Sequence, residues 1–272
     1  MFRESSVLRA ATAAGAAAPR VLYDCEDFQV HAFVPGTIVE EAVPSGTRPP
    51  DSIVATVWAS QALLDSVGRS ELLELPSRRC FARTQYDSSE GFAESLRDWL
   101  SRVYVVAPAP AKLAMAEVGI SGDPFTSTIG LHDVNRPLRL CHGDLSRGNC
   151  MIHRGRVTIL DWELSLWGDP AWDIASFFHR FGLTREQEEH ILSQGAPVPS
   201  DNLRVDVEAY RKLEVDRSLV IDCVRLVQAW GSYDPQRVGE YTDKVAKLRP
   251  DLLADHQSAA YRIRRLLNTI RV

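Results

Sequence analysis

The sequence predicts an α+β protein, with a small β-containing N-terminal part and a large, mainly helical remainder. Three observations carry this. Residues 20–23 and 28–34 are short runs of β-formers around the turn-like Asp24-Cys25-Glu26-Asp27, the pattern of a hairpin. From Asp51 onward, apolar residues recur mainly at helical spacing. Residues 137–173 interrupt that pattern with short strands, turns and a crowd of polar side chains.

Taken in order, residues 4–14 read as a helix ended by Gly15 and Pro19. The hairpin follows and Pro35-Gly36 ends it. Between Glu40 and Asp51, Pro44, Gly46, Pro49 and Pro50 mark a crossing into the larger part. The boundary falls near Val34, dividing 1–34 from 35–272. Residues 53–67 carry Val57, Leu63 and Leu64 among small residues, and 92–103 place Leu96, Leu100 and Val103 on one helical face. Helical patterns resume at 184–194, 204–229 and 252–270, the last amphipathic with Arg262, Arg264 and Arg265 on its wet face.

Composition excludes several classes. At 272 residues, 45% apolar and 25% charged, the chain can bury a sizeable core. Its 31 Lys+Arg against 36 Asp+Glu lack the broad positive footprint that nucleic-acid or acidic-membrane binding needs. No apolar run approaches the roughly 20 residues of a membrane span. Cys25, Cys80, Cys141, Cys150 and Cys223 are an odd set without a C-x-x-C pair, which argues against a disulfide framework or zinc site and for a reducing cytoplasm. The Ala-rich opening is interrupted by Glu4, Thr12 and Gly15, a poor leader and a better short helix.

The chemistry concentrates in the middle. A strand at 138–141 runs into His142-Gly143-Asp144, and five residues on stands Asn149, giving H-x-D-x-x-x-x-N. Residues 149–152 and 157–160 are strand-like runs joined by His153-Arg154-Gly155-Arg156, a hairpin turn. Such a hairpin sets Asn149 and Asp161 side by side at its open end, next to the loop that holds Asp144. Hard oxygen donors gathered this way suit Mg²⁺. Asp144 then suits the acceptor of a substrate hydroxyl proton, the one covalent task that phosphoryl transfer leaves to a side chain. Asp169-Pro170 is a helix start, aspartate at the N-cap and proline at N1. Cys141 and Cys150 read as small apolar packing residues, and His153 and His179 as a turn and a helix-face histidine.

Leu140-Cys141-His142-Gly143-Asp144 through Asn149, then Ile159-Leu160-Asp161-Trp162-Glu163, then Gly168-Asp169-Pro170-Ala171-Trp172-Asp173 resemble the aminoglycoside phosphotransferase and choline kinase family. All three of that family's motifs occur here in order and at close spacing. The resemblance implies a protein-kinase-like fold, a truncated small N-lobe before a helical C-lobe, and an ATP- and Mg²⁺-dependent enzyme. It implies Asp144 as catalytic base, Asn149 and Asp161 as metal ligands, and His142, Asp169 and Asp173 as structural support. Phe2-Arg3-Glu4 and Leu8 match the family's R-E-x-x-x-L, which makes Glu4 its helix glutamate. Residues 29–36, with Phe33, Val34 and Pro35, match the strand and hinge that contact adenine.

The family's nucleotide-covering loop and strand lysine belong upstream of that helix, where this sequence starts at Met1. The reading favoured is a start placed too far downstream in a kinase gene. One alternative is a natural short chain, a binding or scaffold protein whose exposed sheet edge pairs with another chain or which takes a missing lobe from a partner. A peptide-hydroxyl kinase of a biosynthetic pathway that depends on such a partner is a variant of it. The other is a metal-dependent hydrolase using Asp144, Asp161 and Asp169. The substrate is expected to be a small-molecule hydroxyl compound (an aminoglycoside-like antibiotic, an amino alcohol or a sugar), with a cationic one weakly favoured by the net charge of −5. Glu163, two residues from a metal ligand, is its candidate contact. Glu186, Glu188 and Glu189 read as a solvated helix face.

Overall fold

The computed structural model describes residues 4–25, 28–44, 46–72, 87–193, 202–232, 234–248 and 265. Cys80 and all but Arg265 of the expected helix at 252–270 lie outside them. The chain forms two compact units, residues 1–95 with 129–211, and residues 96–128 with 212–272. All the chemistry described below lies in the first.

That unit opens with helix α1 (Glu4–Ala13), which buries Val7, Leu8, Ala10 and Ala11. The antiparallel pair β1 (Val21–Asp24) and β2 (Gln29–His31) follows. Cys25 N–H donates to the Phe28 carbonyl and closes the turn, as the two β-former runs predict. A two-residue strand, β3 (Thr37–Ile38), and a single helical turn, α2 (Val39–Ala42), occupy the start of the expected crossing. The run Val39-Glu40-Glu41-Ala42 is too short to register as a helical period, and the prolines after it mask it. Helix α3 (Asp51–Leu63) buries Val54, Val57 and Trp58. Helix α4 (Ser89–Val106) begins in this unit, and α5 (Ala109–Glu117), which no apolar period announced, belongs to the second unit.

Three antiparallel strand pairings then build the site. Strand β3 pairs with β5 (Cys150–His153), and β5 with β6 (Arg156–Ile159). The β5–β6 turn has Arg154 at φ 49° and Gly155 at φ 76°, the left-handed pair that a two-residue hairpin of matching twist requires. Strand β4 (Arg139–Cys141) pairs with β7 (Leu166–Gly168), opposing Cys141 to Leu166. No motif marks β7, whose pairing is set by residues 25 positions away.

Helix α6 (Pro170–Phe181) has Asp169 as its N-cap, whose carboxylate accepts the Ala171 N–H at 2.9 Å. It ends at Gly182 (φ 62°), whose N–H returns to the His179 carbonyl. Trp172, Phe177, Phe178 and Phe181 are all buried. At roughly 1.5–3 kcal/mol for each large apolar side chain, their burial outweighs the ~1 kcal/mol of the cap, so packing anchors α6 and the cap sets where it starts. Helix α7 (Arg185–Ser193) and the first turns of α8 (Leu203–Gly231) complete this unit. In the second unit, the rest of α8 buries Leu219, Val220, Cys223 and Leu226, and α9 (Pro235–Leu248) buries Val238 and Val245. No helix among the described residues is long and apolar enough to cross a membrane.

Candidate active site

The loop between β4 and β5 carries His142, Asp144 and Asn149, and its shape is set by a buried carboxylate. Asp173, on the first turn of α6 and 1% exposed, accepts the His142 N–H at 2.9 Å and the Gly143 N–H at 3.1 Å. Gly143 takes φ +84°, where any Cβ would collide with the Leu164 carbonyl. Glycine is therefore required between the histidine and the aspartate.

His142 is fully buried with its ring edge on Trp162 at 4.7 Å. Its Nδ1 accepts the Asp144 N–H at 3.2 Å and its Nε2 donates to the Leu160 carbonyl at 2.9 Å. Burial pushes its pKa below the ordinary value, and a second proton on Nδ1 would face the Asp144 N–H. The ring is a neutral brace between the loop and the end of β6, with no nitrogen left to exchange protons.

Asp144 and Asn149 meet directly. The Asn149 amide donates to the Asp144 carbonyl at 2.8 Å and to Asp144 Oδ2 at 2.9 Å. With both Nδ2 hydrogens committed, the oxygen end of the carboxamide is the remaining acceptor. The Leu160 N–H donates to the Asn149 carbonyl at 2.7 Å, so the hairpin brings the residue before Asp161 against Asn149 as the spacing predicts. Asp161 is exposed and sits at φ 60°, ψ 64°, a left-handed conformation that aspartate tolerates better than most side chains. Its charge is felt by both Glu4 and His142.

Glu4, half-buried at the start of α1, accepts a backbone hydrogen bond from Trp162 and has its pKa raised, chiefly by burial. It therefore stands at the turn that follows Asp161. Glu163 is exposed on the same turn. Phe33, 88% exposed, Val34 and Pro35 lie on the segment that leads from β2 to β3. Asp169 does not join the loop. It is buried on Arg136 and the Tyr210 hydroxyl, which removes it from a three-aspartate hydrolase site. Among the described residues no three His, Cys, Asp or Glu side chains are grouped to hold a metal ion.

Three arginines escaped the sequence reading. Arg147, in the motif loop itself, is buried and donates to the carbonyls of Val43, Pro44, Thr47 and Phe181, pinning the loop to the segment after α2. Arg136 holds Asp169 and Asp206. Arg180 forms an ion pair with Asp144 Oδ1. It stands seven residues after Asp173, two turns along the same face of α6, and that period was the available signal.

Of the three acidic residues expected on a solvated helix face, Glu186 and Glu189 are exposed and Glu188 is not. Glu188 is buried against Arg211 at 2.7 Å, contrary to the exposed-face expectation. Glu189 pairs with Arg204 at 2.8 Å, Glu186 with Arg48 at 3.6 Å and Glu208 with Arg185 at 3.3 Å.

Cys141, Cys150 and Cys223 are buried free thiols. Burial pushes Cys141 up, and Cys150 and Cys223 up to about 12, so none is a thiolate nucleophile. A disulfide reagent is expected to leave these three unlabelled in the native protein and to label them only after unfolding, as peptide mass mapping would read. Native labelling of Cys141 or Cys150 would contradict the packed loop.

Comparison with known proteins agrees with this geometry. A family model described as the phosphotransferase enzyme family (APH) matches residues 1–205. Protein LicA of Haemophilus influenzae is 28% identical over 81 residues, 29% of this chain and 30% of that protein's length. A choline/ethanolamine kinase family protein from Mesorhizobium loti superposes with a TM-score of 0.52 at 18% identity, covering 95% of this chain and 83% of that one. The macrolide 2'-phosphotransferase MphH from Brachybacterium faecium gives 0.50 at 14% identity over 90% and 79% of the two chains. These likenesses establish the kinase-like α+β fold. With the family match running from the start of the chain past the Asp144–Asn149 loop, Asp161 and α6, the chain belongs to the phosphotransferase enzyme family.

Proposed function

We propose that the protein is an ATP-dependent phosphotransferase that moves the γ-phosphoryl group to a hydroxyl of a small molecule, in a reducing cytoplasm. The observation that carries this reading is the convergence of the Asp144 carboxylate, the Asn149 carboxamide and the turn at Asp161 on one hairpin end. Asn149 and Asp161 offer a carboxamide oxygen and an exposed carboxylate, a hard-oxygen pair with room for waters and phosphates. They would hold Mg²⁺, which when bound supplies neutralisation of the triphosphate charge. Glu4, Phe33, Val34 and Pro35 line the nucleotide side.

Asp144 does the proton chemistry. As the acceptor oxygen bonds to the γ-phosphorus and the bond to the β-phosphate oxygen breaks, the hydroxyl proton passes to the Asp144 carboxylate and ADP leaves. Asn149 fixes the carboxylate and its carbonyl together, while Asp173 and the neutral His142 hold the backbone that presents it.

Asp161→Asn tests the metal assignment without disturbing the left-handed backbone, which asparagine also adopts readily. Calorimetric affinity for Mg·ATP should fall about tenfold or more, with an unchanged circular dichroism spectrum. An unchanged affinity would remove Asp161 from the metal site.

A second reading is favoured by one observation: Leu22, Tyr23, Phe28, Val30 and Phe33 on and beside the β1–β2 pair are exposed. On it, a partner chain covers this face and completes the nucleotide site, so nucleotide affinity rises when the partner is supplied.

A further inference from the structure

The acceptor side of the site carries a fixed cation. Arg180 projects from α6 onto Asp144 Oδ1, while Oδ2 is held by Asn149. The pair is mostly enclosed, with side-chain exposures of 21% and 23%. Asp173, two turns earlier on the same helix, fixes the loop that presents the base. The guanidinium is thus anchored on the helix whose Asp173 fixes the loop of the base, and is not a surface charge free to leave.

We propose that Arg180 selects the acceptor, so that the substrate is an oxygen-rich neutral or anionic alcohol and not an ammonium compound or a polyamine. This rests on the phosphotransfer reading and names its substrate class. A hydroxyl that reaches Asp144 must come within a few ångströms of a guanidinium with five donors. Carboxylate, phosphate or neighbouring hydroxyl oxygens accept those donors, whereas an ammonium group meets a like charge in a partly desolvated place.

Among the described residues, several carboxylates of this unit are paired with arginines, while the exposed Asp161 and Glu163 lie on the turn assigned to the metal side. Asp206 is buried on Arg136, Glu188 on Arg211, and Glu189 is paired with Arg204. Those three carboxylates are spent on arginines. The proposal departs from the cationic substrate that the net charge of −5 weakly favours.

The test compares three small alcohols of different charge, D-glycerate, glycerol and choline, in ADP release from Mg·ATP by the full chain. The wild type is expected to favour glycerate or glycerol over choline by about tenfold or more in kcat/KM. Arg180→Gln should erase that preference, mainly through the KM for glycerate, and Arg180→Lys should restore much of it. If none of the three is turned over, the same order is read from their power to inhibit basal Mg·ATP hydrolysis. Preference for choline in the wild type overturns the proposal, and so does an equal loss for all three in Arg180→Gln, since that marks a merely structural arginine. Failure of the phosphotransfer reading shows separately, as absence of Mg·ATP binding by calorimetry.

Discussion

Asp144→Asn is expected to lower ADP release from Mg·ATP by roughly 10²–10⁴-fold, the usual contribution of a positioned general base. The substitution keeps the size and planarity of the side chain, and one oxygen still accepts from Asn149. What it removes is a carboxylate that can take the hydroxyl proton as the oxygen–phosphorus bond forms. The loss corresponds to about 3–5 kcal/mol of barrier, and it should fall on kcat with Mg·ATP affinity retained, because Asp144 is not among the groups assigned to the nucleotide. Loss of the Arg180 pair is a separate effect, which Arg180→Gln reports alone. Folding should be little changed, since Asp173 and His142 hold the loop through backbone groups that this substitution leaves in place. A variant within threefold of wild type under saturating nucleotide would take the base assignment away from Asp144.

The parts of this site that were legible in the sequence are those set by short-range geometry. The β5–β6 turn needs left-handed residues at Arg154 and Gly155, and a glycine at the right distance between two β-former runs announces it. Once that hairpin closes, Asn149 and the residue before Asp161 must meet. Asp169 and Pro170 declare a helix start, and four residues later Asp173 is carried onto the facing loop. Arg136 and Arg147 were not legible, because nothing local marks their partners, and Arg180 showed only in its seven-residue spacing from Asp173. Arg180 reaches Asp144 across 36 residues, Arg147 reaches Thr47 across 100, and Arg136 reaches Asp206 across 70. The same long-range pairing explains why Glu188 is buried while Glu186 and Glu189 on α7 are exposed. Charge patterning along one helix identifies candidate wet faces, but an arginine on another helix decides which carboxylates stay wet.

Arg136→Met is expected to destabilise the protein by roughly 3–5 kcal/mol, the cost of breaking a buried ion pair by removing one partner. The guanidinium is 0% exposed and donates to both oxygens of Asp169, at 3.0 and 3.1 Å, and to Asp206. Methionine fills much of the space, so the effect comes from charge. Two carboxylates that are themselves 0% exposed would lose the cation they share and keep neutral donors. Asp206 retains the N–H groups of His132 and Asp133 at 2.6 and 3.1 Å, and Asp169 retains the Ala171 N–H and the Tyr210 hydroxyl at 2.9 and 3.2 Å. Those bonds do not neutralise two buried negative charges. At 2–4 °C per kcal/mol for a chain of this size, the melting temperature at pH 7 should drop by ~6–20 °C. Asp169 is also the cap that starts α6, and that helix carries both Asp173 and Arg180. Loosening its first turn should lower turnover as well, through a residue that touches neither nucleotide nor acceptor. Calorimetric unfolding of Arg136→Met at pH 7, with its turnover measured alongside, checks both claims. A change below 1 kcal/mol at pH 7 would show that the triad does not hold α6 in register with the catalytic loop.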